Sequence, residues 1–250
     1  MKANSIDEVI LLLEEIIQTS ITTEDTMGYF AALYQKVTVQ VKERMAEGYF
    51  DDPQRMERLD VVFANRYLDA YAKYQKGEPI SKSWELAFYE TKNPKRIVLQ
   101  HLLLGMNAHI NLDLGIAAAS ISTPANIEDL QGDFNKINEV LGSLVEEIKQ
   151  DLSEIWPMLL KVLKWVKKVD NFMINFSMEV ARDGAWKFAK EVVHAPQAEA
   201  PPMINQRDDK IADFAQLITK HGWLERVIIG FIRMGERNKV SDRIRMLKEV

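Results

Sequence analysis

The chain has 250 residues, 47% of them hydrophobic and 28% charged, which suits a globular protein with a substantial core. Its net charge of −5, from 37 acidic and 32 basic residues, argues against nucleic acid as a partner, because phosphate binding needs a basic surface. There is no cysteine, so disulfides, thiolate metal sites and cysteine nucleophiles are excluded, and the composition fits a reducing compartment.

The N-terminal stretch MKANSIDEVILLLEEIIQ places Ile6, Val9, Ile10, Leu13, Ile16 and Ile17 at helical spacing with acids between them. It has no basic leader and no small-residue cleavage site, so it reads as an amphipathic first helix and not as a signal peptide. A second helix runs from about Glu24 to Glu47 and stops at Gly48. Asp52-Pro53 is an N-cap followed by proline and opens a third helix to about Gln75, which Gly77-Glu78-Pro79 ends. Ser81 or Ser83 can cap the short SWELAFYE segment. Asn93-Pro94 repeats the cap signal and opens a central helix over residues 94–119. Ser122-Thr123-Pro124 breaks the chain, and a polar amphipathic helix follows from about Asn126, restarted at Pro157. Residues 195–206, APQAEAPPMINQ, read as a linker or loop. Beyond them Asp208–His221 is a helix stopped by Gly222, with further helices to the C-terminus and an apolar stripe of Val240, Ile244 and Leu247 suited to internal packing or another chain. Strand signals are nearly absent. The expected architecture is all-α: a compact, bundle-like helical domain over residues 1–194, and C-terminal helices over 207–250 packing on the same domain.

The central stretch PKRIVLQHLLLGMNAHINLDLGIAAA carries only Asp113 as a formal charge after Arg96, yet holds Gln100, His101, Asn107, His109 and Asn111. It is too polar to span lipid cheaply, so the expectation is a cytoplasmic protein without a transmembrane segment. At about 100° per residue, Gln100, Asn107 and Asn111 form a carboxamide stripe, suited to packing neighbouring backbones or orienting a ligand. His109 and Asp113 lie together on the opposite side, and Gly105, Ala108, Gly115 and Ala119 form a small-residue strip between. At i, i+4 the histidine and aspartate can share a metal ion or hydrogen-bond directly, which fixes the imidazole tautomer. The plainer reading is a core histidine satisfied by its carboxylate. His101, about 12 Å upstream along a straight helix, joins them only through a kink or a bridging ligand.

The segment RLDVVFANRYLDAY (58–71) offers partners. Asp60 shares a side with Ala64, Tyr67 and Tyr71, while Arg66 is suited to neutralising a buried aspartate, to binding an anionic ligand or to an exposed ion pair. Trp156, Trp165, Trp186, Phe172, Phe176 and Phe188 read as core packing. Lys161, Lys164, Lys167 and Lys168 read as a solvated face, and His194 as a solvated side chain.

The strings LDVVFANRYLDAY (59–71), WELAF (84–88) and QHLLLGMNAHINLDLGIA (100–117) resemble an uncharacterised all-helical family of unknown function, with GMNAHINLDL (105–114) the distinctive part. That resemblance implies a compact helical domain with a polar centre and transfers no activity. A more distant likeness is to the helical zinc-dependent phospholipase C and P1 nuclease group, which binds metal through His-x-x-x-Asp and His-x-x-x-Glu pairs. His109/Asp113 matches the first pair and His221/Glu225 could match the second. The wide separation of the pairs and the missing intervening histidine speak against three zinc ions. They leave one divalent metal such as zinc on His109, Asp113, Asp60 and His101.

Three functions follow from this reading. The first is a metal-dependent phosphoester hydrolase using those four ligands, with Arg66 holding the anionic group. The second is a non-catalytic module whose eleven methionines and small-residue strip line an apolar pocket oriented by Asn107 and Asn111. The third is a metal-free enzyme with His109–Asp113 as general base. A small-molecule ligand or substrate is expected in each, with or without homo-oligomer formation.

Overall fold

In the computed structural model, residues 1–137, 140, 155, 178–220, 223–236 and 238–248 are described, with backbone alone at 178–179 and 223–228. Helix α1 (Ile6–Thr23) begins where the Ser5 hydroxyl accepts the amide of Glu8, and it buries Ile6, Val9, Leu13, Ile16 and Ile17. Helix α2 (Met27–Ala46) has an almost wholly buried N-terminal half, and Gly48 follows it in the left-handed region at φ 69°. Asp52 caps α3 (Pro53–Lys76) by accepting the Arg55 amide, and left-handed Gly77 ends it. Helices α4 (Lys82–Thr91), α7 (Met178–His194), α8 (Ala200–Thr219), α9 (Trp223–Gly235) and α10 (Val240–Lys248) complete the framework around a central rod.

That rod is α5 (Val98–Ala108), a π-helical turn over His109–Asp113, and α6 (Leu114–Ser120). It starts later than Asn93-Pro94 suggests. Asn93 to Arg96 form a turn instead, held by Arg96 donating to Glu90 at 2.6 Å, and the helix begins once Gln100 accepts the Ile97 amide at 3.2 Å. The stretch Val98–Ser120 is long and apolar enough to cross a membrane by length and composition, but most of it is buried inside the fold as its core helix. The small-residue strip brings other helices close: a Cβ on Gly105 would lie 2.4 Å from the Phe30 ring of α2, and one on Gly115 would lie 2.8 Å from the Ala185 carbonyl of α7.

Two apolar cores meet at the π-turn. One gathers α1 to α5 with the inner faces of α8 and α10; the other lies between α3, α6, α7 and the segment around Ile127–Leu130. Ile244 and Leu247 of α10 are buried in the first, so the C-terminal stripe packs internally.

The helices are joined by carboxylates that cap distant N-termini. Asp133 accepts the amides of Asp51 and Asp52 (2.6 and 3.0 Å) before α3, and Asp208 those of Lys82 and Ser83 (2.7 and 3.0 Å) at α4. Glu236 accepts the Val98 amide (3.0 Å) at α5, and Glu24 that of Ser241 (2.9 Å) at α10. Neither Ser81 nor Ser83 provides the side-chain cap of α4; Asp208 takes that place. Residues 200–206 open α8, because prolines in a first turn lack only amides that have no helical partner anyway. The linker reading of 195–206 therefore reduces to the short connection before Ala200. Trp156, Pro157, Lys161, Lys164, Trp165, Lys167, Lys168, Phe172, Phe176 and His221 lie outside the described residues.

Gly105→Ala forces the new methyl against Phe30, which is itself packed edge-on to His109. Overpacking of this kind destabilises by about 1–3 kcal/mol. A lower urea midpoint with an unchanged m-value is the expected result; an unchanged midpoint would mean that the ring can turn aside.

Candidate functional site

The π-turn sets the site. The Leu114 amide reaches back to the His109 carbonyl, five residues earlier, and such turns recur at functional positions. His109 Nδ1 lies 3.2 Å from Asp113 Oδ2. The same oxygen accepts the indole N–H of Trp84 at 2.7 Å, and Oδ1 accepts Arg66 Nε at 2.8 Å. Burial alone would raise the Asp113 pKa, but the His109 hydrogen bond, the Arg66 charge and the Trp84 N–H hold it below the ordinary carboxylate value. An ionised carboxylate only accepts, so Nδ1 of His109 carries its proton and Nε2 presents a lone pair.

The imidazole is enclosed by rings. Phe63 stacks on it at a centroid distance of 3.6 Å and an angle of 7°, and Tyr34 meets it edge-on at 4.5 Å. Burial lowers the His109 pKa, opposed by the hydrogen bond and charge of Asp113. The ring is therefore neutral at pH 7.

His109 also lines a partly open cavity of about 70 Å³ between α2, α3, the central rod and α7. Its walls are apolar, from residues such as Leu33, Met56, Leu59 and Ile110, apart from Tyr34, Asp60, His109 and Arg182. His109 Nε2, Tyr34 Oη and Asp60 Oδ2 are buried and have no hydrogen-bond partner among the described residues. Burial pushes the Asp60 carboxyl up to about 7, and Glu57 adds to the shift. Tyr34 is driven well above its ordinary value by burial and by the nearby charges of Asp60 and Asp113, so it stays a donor. A donor, Tyr34, an acceptor, His109, and a carboxyl that takes up and releases its proton near pH 7, Asp60, thus line a single apolar space.

The other expected residues are placed apart from this cavity. Arg66 spends its Nε on Asp113 and otherwise lines an open surface cleft with Trp84 and Asp208. Asn107 donates to the Ile211 carbonyl of α8 at 3.0 Å and accepts from Asn111 at 2.9 Å, while Gln100 donates to the Ile218 carbonyl at 2.9 Å. The carboxamide stripe is committed to docking α8 on the central rod. His101 packs against Tyr29 in a different cleft. Among the described residues no group of three or more His, Asp or Glu side chains is placed to share an ion.

A sequence model for a family of unknown function, DUF5995, matches residues 6–221. The chain belongs to that family. The DUF5995 match takes in the whole dyad and every described residue of its cavity, while α9 and α10 follow after it. No curated protein and no solved structure matches the chain. Membership of DUF5995 agrees with the resemblance carried by GMNAHINLDL and supplies no activity.

Tyr34, Phe63, Trp84 and Arg182 complete the surroundings of the dyad without having stood out as site residues. Tyr34 had one signal, an uncharged run from Met27 to Gln35 that marks a buried helix with tyrosines in it.

The titration of Asp60 has a defined sign. Its folded pKa of about 7 lies above its ordinary value of 3.8, so protonation favours the fold. The contribution is complete below the unfolded pKa and is lost as pH rises through about 7. Asp60→Asn lacks this titration. Between about pH 5 and 8 it should gain about 2–3 kcal/mol on the wild type in urea unfolding. Parallel pH profiles for the two proteins would place Asp60 in an ordinary, solvated environment.

Proposed function

We propose that the cavity beside the His109–Asp113 dyad is a general acid–base site acting on a small, uncharged, largely apolar molecule that carries a carbonyl or hydroxyl group. The observation that carries this reading is the set of three buried, unpartnered polar atoms around one apolar space: His109 Nε2, Tyr34 Oη and Asp60 Oδ2. Burying such groups without partners costs roughly 1–3 kcal/mol each, and sites that need acid and base together are built by pushing neighbouring pKa values apart. His109 takes a proton through Nε2. Asp113 holds the tautomer and stabilises the imidazolium that forms, with Arg66 and Trp84 keeping Asp113 ionised. Asp60 and Tyr34 donate to the oxygen of the bound molecule. A cavity of about 70 Å³ limits that molecule to a few non-hydrogen atoms.

A phosphoester hydrolase with a metal on His109, Asp113, Asp60 and His101 has less support. Both Asp113 oxygens already accept hydrogen bonds, and His101 opens to another cleft. The lining of the cavity beside His109 is apolar apart from a few side chains, which gives a phosphoester little polar surface to bind.

Acetone and butanone are suitable probes. Each should shift the His109 imidazole signal in NMR spectra, assigned by its loss in His109→Gln. Exchange of the hydrogens next to the carbonyl with deuterated water should be faster by about 10²-fold with the wild type than with His109→Gln. Shifts without catalysed exchange would make the cavity a binding module. No shift and equal exchange in both proteins would overturn the proposal.

A further inference from the structure

A second cleft of about 190 Å³ lies on the other side of the first core, between α2, the α4–α5 connection, α9 and α10. Four cations line it: Lys92, Arg96, Arg233 and Arg243. Arg96 is paired with Glu90 at 2.6 Å and Arg243 with Glu236 at 3.1 Å. Lys92 and Arg233 make no ion pair among the described residues; Lys92 rests over the Tyr74 ring at 5.2 Å. The nearby Glu24 caps α10 through Ser241 and keeps its negative charge, so the four cations are set against three carboxylates, Glu90, Glu236 and Glu24, and the excess of positive charge is small.

Two buried polar side chains add an independent observation. His101 is 6% exposed and Tyr29 1% exposed, their rings lie 5.6 Å apart, and neither His101 Nδ1 nor Tyr29 Oη has a hydrogen-bond partner among the described residues. Both residues line this cleft. Burial first, and then the charges of Arg96 and Arg243, push His101 down to about 3, so the imidazole is neutral and its ring N–H is available as a donor.

We propose that this cleft binds a tetrahedral oxyanion, the phosphate group of a small molecule or inorganic phosphate itself. Lys92 and Arg233 supply charge at the mouth, and Tyr29 and His101 supply hydrogen bonds from the floor. Guanidinium and ammonium groups with neutral N–H and O–H donors behind them are the complement that such an anion requires. The site is separate from the His109 cavity and does not depend on the function proposed for it.

The experiment uses the full chain and inorganic phosphate, with calorimetry for affinity and NMR for the His101 ring. Saturable binding is expected, with sulfate competing and sodium chloride at matched ionic strength failing to compete. Arg233→Gln and Lys92→Gln should each weaken binding at least tenfold, Tyr29→Phe several-fold, and Arg233→Lys less than Arg233→Gln. Bound phosphate should also raise the pKa of His101, which a purely structural histidine would not show. Lys92 is exposed, so its variant keeps the test decisive if the arginine variant fails to fold. Phosphate affinity unchanged in Lys92→Gln and Tyr29→Phe, or a response reproduced by chloride, would overturn the assignment.

Discussion

The Asp113 carboxylate is the interaction on which the rest of the arrangement depends. It is fully buried and ionised, a state that costs several kcal/mol unless its oxygens are well partnered. Its partners come from three places: Arg66 on α3, Trp84 on α4 and His109 one turn earlier on the central rod. One anion thereby fixes the mutual position of three helices. The π-turn is the backbone's share of the arrangement, since it lets His109 and Asp113 face α3 and α4 while Gly105 and Gly115 keep facing α2 and α7. Phe63 then locks the imidazole plane by stacking, so the orientation of Nε2 is set from both sides.

The same economy runs through the fold. A few of the acidic side chains work inside it. Asp133, Asp208 and Glu236 are buried, and each satisfies the first amides of a helix far away in sequence. The C-terminal end of α8 is treated likewise: Gln100 and Arg96 donate to the carbonyls of Ile218 and Thr219. These bonds satisfy helix ends that would otherwise be buried with open donors and acceptors, and they specify which helix packs on which.

The helices themselves were legible because their signals are local. Asp52-Pro53, Gly48 and Gly77 mark ends, and the spacing of Ile6, Val9, Leu13 and Ile16 marks a face. The His109–Asp113 pair, and Arg66 as neutraliser of a buried aspartate, were legible for the same reason: a helical wheel places the first two together, and a lone acid in an apolar stretch calls for a cation. What escaped was whatever depends on distance in sequence. Asp208 capping α4 and Tyr34 meeting His109 leave no trace in spacing or composition. Asn107 and Asn111 show the ambiguity of a stripe, since carboxamides that suit a ligand suit a neighbouring carbonyl equally well, and only the position of α8 decides. The prolines of 195–206 misled because a proline cluster breaks a helix in its middle yet opens one at its first turn.

The remote caps have a consequence for how the protein is made. The amide of Val98 waits for Glu236, those of Lys82 and Ser83 wait for Asp208, and Glu24 waits for Ser241. On a ribosome these partners emerge well after the helices they join. The N-terminal helices can form and collapse earlier, but the central rod keeps an open, apolar flank until α8 to α10 arrive to cover it. Nascent chains of this protein therefore present a hydrophobic surface from the emergence of the central rod until α8 to α10 dock, and that is the interval in which a chaperone would be engaged.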